Sequence, residues 1–307
     1  MSNASTTPAT TARPVRPLLG ILILLGAVAC FACMDASVKW LNRDLKPVQI
    51  AGVRYLVSLM AVAVFINPWS HPDILKPRKL KLQFGRASFL IASTLCVFLA
   101  LRFLPLTQLT AINFSAPLIT ALLAGPVLGE RIGPRRLVAV LVGFAGVLVI
   151  TRPFGGSVQP AVVLALMAAL SGAGYYLTTR LLAAHDRPET TLFYTGLVGT
   201  VVLSPTLPFV WQSPSTPLVW GVLLGLGLLG ALGHWLLILA HRHAPASVLA
   251  PFFYVQIIGA VVFSVTVFGE RPDLWTLLGS ATVIASGLYL LYRERVRRKF
   301  PSSDVSV

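Results

Sequence analysis

Acidic residues are scarce in this 307-residue chain: 10 Asp and Glu stand against 25 Lys and Arg, and charged residues of both signs make up only 11% of it. A soluble domain carries about 25%, and a chain this poor in charge cannot cover a water-facing surface. The net charge of +15 would elsewhere suggest nucleic acid. Here most of the cations fall in short breaks between apolar runs, where they read as topology signals and contacts to anionic lipid, so no nucleic-acid partner is expected. Only three cysteines are present, Cys30, Cys33 and Cys96, all inside apolar runs, which excludes a disulfide framework. Cys30 and Cys33 have C-x-x-C spacing, but no second Cys or His pair follows at zinc-like distance, so they read as packing thiols and no metal is expected. There is no Gly-Lys pair and hence no P-loop or ATP drive. H-E-x-x-H, G-x-S-x-G and paired intramembrane aspartates are also missing, which argues against an enzyme. Gly225, Gly227 and Gly230 fit G-x-G-x-x-G by letter, yet no strand precedes them, so no dinucleotide cofactor is expected.

What is abundant is apolar sequence, at 56% of residues and a mean hydropathy of +0.80. Crossing a bilayer takes about 20 mostly apolar residues, and ten such runs are present: Leu18 to Trp40, Val48 to Trp69, Leu82 to Leu101, Leu106 to Leu128, Ile132 to Thr151, Val158 to Thr179, Thr190 to Trp211, Pro217 to Ala240, Ala244 to Phe268 and Leu274 to Tyr292. The expected fold is an all-α integral membrane protein of ten transmembrane helices with short links. Residues 1–17 and the basic stretch 293–307 read as disordered cytoplasmic tails. Arg13 and Arg16 before an apolar stretch imitate a secretory signal, but that stretch continues past Cys30 and nine more follow it. Asn3-Ala-Ser5 matches a glycosylation acceptor, but on an inside tail it never meets that machinery.

With the N-terminus inside, alternate loops hold 18 Lys and Arg on the inner side, Arg86 among them, and six on the outer, while Arg54 lies within a span. This asymmetry puts both termini in the cytoplasm and the chain in the cytoplasmic membrane. Trp40, Trp69, Trp211, Trp220 and Trp275 fall at span ends, where indoles favour the interface, and Trp235 alone lies away from an edge.

The two halves also match. Arg102, Pro105, Gly129, Glu130 and Arg131 recur 140 residues on as Arg242, Pro245, Gly269, Glu270 and Arg271, and a shift of 141 lays Lys39 on Arg180 and Pro47 on Pro188. Residues 18–152 and 158–292 are therefore five-helix repeats. Since five is odd, the second copy is inverted in the membrane, an arrangement common in secondary transporters, with the solute site near the midplane.

The doubled five-helix unit, Gly-Glu-Arg closing the fourth and ninth spans, and Arg54 early in the second span resemble the drug/metabolite transporter superfamily, in its EamA-domain branch. The segment Met34-Asp-Ala-Ser-Val-Lys39-Trp is similar to a subset of that branch that includes riboflavin and S-adenosylmethionine transporters, while better-known relatives export amino acids. The resemblance implies alternating access around a cavity lined by the first, third, fourth, sixth, eighth and ninth helices.

Asp35 is the only carboxylate well inside a run. At about 1.5 Å of rise per residue it lies about 9 Å from the middle of the first span. A charge there costs roughly 2.5–3.5 kcal/mol on insertion scales and needs a partner. Lys39 is one turn on and Arg54 is at comparable depth in the second span. Asp35 reads either as half of an ion pair with one of them, or as a coupling or substrate-binding group. In the fourth span Gln108, Thr110, Asn113 and Ser115 interrupt an apolar helix that Pro117 weakens; in the ninth, Pro251, Tyr254 and Gln256 play a similar part. These amides and hydroxyls read as interhelical ties or as cavity lining. Tyr175 and Tyr176 in the sixth span, and His234 with Trp235 in the eighth, offer an aromatic wall or ordinary packing. His241, Arg242 and His243 read as a solvated inner loop. Gly143, Gly146, Gly221 and Gly225 are expected to let helices approach closely.

The expected activity is secondary transport of a small organic metabolite, such as an amino acid, vitamin or nucleoside-like solute, with the proton as candidate coupling ion. Uptake of riboflavin or S-adenosylmethionine is the narrower alternative, and a channel or intramembrane enzyme the rival class. A monomer or weak homodimer is expected. The topology has a direct check. With the three native cysteines removed, a cysteine at Gln159 should react with an impermeant maleimide on intact cells; reaction only after permeabilisation would defeat the inverted repeat.

Overall fold

A computed structural model describes residues 17–128, 133–152, 159–244 and 246–299. The tail before Pro17, residues 129–132, the loop 153–158, Pro245 and the end of the basic tail lie outside the described residues. The helices are α1 (Pro17–Leu41), α2 (Pro47–Ile66), α3 (Leu80–Ala100), α4 (Leu106–Asn113), α5 (Ala116–Leu128), α6 (Pro134–Thr151), α7 (Pro160–Leu182), α8 (Pro188–Leu203), α9 (Leu207–Val210), α10 (Pro217–His243), α11 (Ala246–Leu249), α12 (Val255–Thr266) and α13 (Leu274–Lys299). Among the described residues nine spans are long and apolar enough to cross a membrane, and the shorter apolar helix Pro251–Thr266 supplies the tenth. Proline at the first helical turn opens α2, α6, α7, α8 and α10, where its fixed φ suits the helix and its missing N–H leaves no gap.

Three spans depart from simple rods. The fourth is broken between α4 and α5, the seventh is interrupted by a 3₁₀ turn at Ser204–Thr206, and the ninth comprises α11, a 3₁₀ turn at Ala250–Tyr254 and α12. The basic segment also differs from expectation: α13 continues through Arg293 to Lys299, so its first turns are helical. His241 to His243 close α10 rather than forming a loop, and Arg242 pairs with Glu189.

The inverted repeat is visible in which helices touch. α1 packs along α10, and its counterpart α7 packs along α3; α1 also meets α12, as α7 meets α4 and α5. α2 faces α8, α6 faces α13, and α4 faces α12, each joining equivalent members of the two halves. The halves are therefore interlocked, and the core runs along the shared seam. The ends that carry Pro17 and Lys299 form one face, called here the termini face; the loops around residues 42–46, 101–105 and 267–273 form the far face.

Small residues make the seams possible. A Cβ built on Gly146 would meet Gly279 O at 2.9 Å and Thr282 Cβ at 3.0 Å, so α6 and α13 touch backbone to backbone. The expectation for Gly221 and Gly225 is corrected: both face open space, and α10 approaches α2 and α1 through Gly227, Gly230 and Gly233. The reason is rotational, since Gly221, Gly225, Leu228 and Leu232 line the outer stripe of α10. Gly146→Val should accordingly destabilise the purified protein by about 1–3 kcal/mol through overpacking, while Gly221→Val changes little. Thermal unfolding in detergent, followed by the monodisperse fraction, distinguishes the two.

Candidate functional site

Asp35, Gln256 and the broken fourth and ninth spans converge in the middle of the bundle. Along α1, Val28, Phe31, Asp35 and Val38 share the face turned to the other repeat. Gly259 of α12 allows the approach, since a Cβ on it would lie 2.8 Å from Ala32 Cβ. Gln256 Nε2 then donates to Asp35 Oδ2 at 3.0 Å. The expected ion pair of Asp35 with Lys39 or Arg54 does not form among the described residues. Lys39 turns instead to the far face, where it pairs with Glu270 at 2.9 Å and donates to Leu104 O at 2.7 Å. Asp35 and Lys39 are a turn apart on one helix, but the long ammonium side chain runs toward the water interface, where Glu270 waits.

Gly269 brings Glu270 there. Its φ of +67° is left-handed, and the following Glu270 N–H folds back to Ser264 O at 2.8 Å. Phe268 is covered by Lys39 at 5.4 Å and Arg43 at 5.7 Å. The far face is tied further by Thr107 Oγ1 donating to Ser264 Oγ at 3.0 Å, and by Gln49, whose amide exchanges bonds of 2.7 and 2.8 Å with the Gln212 backbone. Arg152 and Asp273 also pair there.

The two breaks occupy equivalent places. α4 ends at Asn113, four residues before Pro117, and in the second repeat α12 begins after Tyr254. Phe114 and Tyr254 are 140 residues apart, and their rings stack with centroids 4.9 Å apart. Pro117 has no N–H to give to Asn113, which leaves that carbonyl without its helical partner. The break also takes Pro117 out of the helical face it would share with Thr110 and Asn113.

Two arginines are buried. Arg54 is 5% exposed; its Nη1 donates to Thr94 Oγ1 at 3.3 Å and its guanidinium lies over Tyr55 and Phe98 at 5.1 and 5.7 Å. Arg86, at 6% exposed, is not in the inner loop where charge counting puts it: α3 begins at Leu80 and carries it inside. It donates to Thr179 Oγ1 at 2.7 Å, Thr195 Oγ1 at 2.5 Å and Tyr175 Oη at 2.7 Å, joining α3, α7 and α8. Its guanidinium also lies 4.4 Å from the Tyr175 ring centroid. Sequence reading misses Arg86 because Lys76 to Lys81 just before it are basic; the apolar register of Ala87 and Ile91 was the available signal.

The remaining sequence candidates divide. His234 meets Phe31 edge to face at 5.2 Å and belongs to the inner face of α10. Tyr176 shares its face with buried Ala165 and Ala169 yet is 49% exposed, so it looks onto open space inside the bundle. Thr110 bonds back to Leu106 O at 2.8 Å, so its hydroxyl is taken by its own helix. Gln108 reaches Ile150 O at 3.5 Å and lines a far-face cleft of about 220 Å³ with Thr107, Ser264 and Glu270. Tyr254 is buried, its hydroxyl against Gly287 of α13. Asn113 is half-buried at the break. Trp235 stands apart, since it continues the exposed stripe of Leu228 and Leu232 on the side of α10 away from His234.

The arrangement offers hydrogen-bonding groups and rings at mid-depth below a far face held by an ion pair. Lys39 is 11% exposed and Glu270 34%, intermediate between a surface pair and a buried one. A double-mutant cycle of Lys39→Met and Glu270→Gln should give a coupling of about 1–3 kcal/mol. Additive effects on thermal stability would remove the pair from any role in closing that face.

Both halves match one family model, described as the EamA-like transporter family, over residues 18–152 and 159–293. Among curated relatives, the chain is similar to a protein named S-adenosylmethionine uptake transporter in Rickettsia conorii, 28% identical over 285 residues, which cover 91% of this chain and 94% of that protein. It is also similar to a riboflavin transporter of Vibrio cholerae, 28% identical over 282 residues with the same coverage, 91% and 94%. A pseudopaline exporter of Pseudomonas aeruginosa is 26% identical over 275 residues, 88% of this chain and 95% of its own. One crystal structure superposes with a TM-score of 0.62 at 16% identity, covering 92% of this chain and 99% of the other, a likeness of fold. With an interlocked pair of five-helix units, each matched separately, the chain belongs to the EamA-like transporter family.

Proposed function

We propose that this protein is a secondary transporter that carries a small organic metabolite across the cytoplasmic membrane by alternating access, with both termini cytoplasmic. The observation that carries the reading is the pair of equivalent breaks, at Phe114 and Tyr254, beside the Asp35–Gln256 hydrogen bond. Interrupted helices that face one another at the midplane free backbone groups for a solute, and an inverted repeat supplies two equivalent ways of closing around it. The half-exposed Tyr176, with the Lys39–Glu270 tie at the opposite end, supports a conformation that is closed at the far face and accessible from the termini face. Asp35, Gln256, Asn113, His234, Tyr175 and Tyr176 form the solute-facing set in this reading. Arg54 is a polar neighbour of that set, and Lys39, Gln108 and Thr110 belong to the far-face closure and its helix. Trp235 contacts lipid.

The names of the relatives support a solute the size of a vitamin or nucleoside conjugate, and S-adenosylmethionine and riboflavin are the first to try. Asp35 is proposed as the proton-coupling group, because its one observed partner is a neutral amide that can serve either protonation state. Counterflow in proteoliposomes tests the transport class: a carrier exchanges labelled for unlabelled solute, and a channel or scaffold does not. Asp35→Asn should fold and keep exchange at near wild-type rate while losing accumulation driven by a pH gradient at least tenfold. An Asp35→Asn protein that still accumulates solute with pH would end the coupling role.

A further inference from the structure

The hydrogen bonds recorded for the two buried guanidiniums run to neutral oxygens. Arg86 is caged by the hydroxyls of Thr179, Thr195 and Tyr175. Arg54 donates to Thr94, and its Nε, buried beside Gly230, has no partner. Lys39 is matched by Glu270, and Asp35 accepts from an amide. Setting Arg54 and Arg86 against Asp35 leaves the centre of the bundle with one more positive charge than negative. Uncompensated charge in a low-dielectric interior is costly, and a counter-ion relieves it. Arg54 Nε lies beside Gly230, about one turn along α10 from His234, and Arg86 bonds Tyr175, whose neighbour Tyr176 is half-exposed.

We infer that the central cavity takes a solute bearing an anionic group, a carboxylate or a phosphate, and that Arg54 is its counter-charge. The inference rests on the transporter reading and names the chemistry of the same site. The cage around Arg86 makes it a positioning residue: it fixes α3, α7 and α8 and contributes field. Arg54 differs, because aromatic contacts hold it while in-plane donors are left unspent, and a planar fork of donors matches the geometry of a carboxylate or phosphate. The one excess charge corresponds to one anionic group on the solute, the remainder of which can lie against the tyrosine rings.

The experiment uses the full chain in proteoliposomes and two pooled solute sets. One holds metabolites with a carboxylate or phosphate, S-adenosylmethionine and riboflavin 5′-phosphate among them. The other holds counterparts without that group, decarboxylated S-adenosylmethionine and riboflavin among them. Counterflow should be supported by the first set, and Arg54→Gln should weaken its binding about tenfold to a hundredfold, with Arg54→Lys less affected. Exchange that favours the second set, or unimpaired binding of the first set by folded Arg54→Gln protein, overturns the anion assignment and leaves the transporter reading standing. Exchange of neither set overturns the transporter reading, and the assignment with it. If Arg54→Gln gives no monodisperse protein, the wild-type comparison of the two sets decides alone.

Discussion

Every backbone N–H and C=O within the hydrocarbon must find its partner inside the protein, and this constraint shapes the molecule more than any single contact. It makes the spans helical and confines irregular backbone to places sheltered from lipid. The breaks at Phe114 and Tyr254 face one another inside the bundle, with their rings in contact. Around Pro117 the chain keeps what bonds it can: Phe114 N–H reaches Thr110 O, Ser115 N–H reaches Ile112 O, and Ile119 N–H reaches Ser115 O. The Asn113 carbonyl, which loses its helical partner to Pro117, is left over in the break of the fourth span.

The same scarcity of water governs the charges. Ionisable groups inside the spans are few, and most are held by a specific partner, Arg54 being the least satisfied. Lys39 runs to the far face and pairs with Glu270, Asp35 takes an amide from the other repeat, and Arg86 is wrapped by hydroxyls from two neighbouring helices. Of these, the Lys39–Glu270 pair and the Asp35–Gln256 bond both cross the seam between repeats, so a relative movement of the halves must act on both. In the transport cycle proposed above, a movement that opened the far face would break an ion pair near water and disturb a hydrogen bond deep inside. That is a physical link between access at the surface and the state of the central carboxylate.

Span number and the doubled five-helix unit were legible in the chain, because apolar length, charged breaks and proline at helix starts are local properties. Phe114 and Tyr254 are separated by the same 140 residues as the repeated motifs, but only the structure showed that their rings meet. Tertiary structure decided what each inward side chain touches. Along an apolar helix, neighbouring protein and lipid select for the same residue types, so the sequence does not tell the exposed stripe holding Gly221 and Trp235 from the seam holding Gly227 and His234. Asp35 likewise had two nearby cations in sequence terms, and helix rotation gave it Gln256 instead. Arg86 was counted with the basic loop before it, although it falls within the third span, and the packing of α3 against α7 and α8 placed it in the interior.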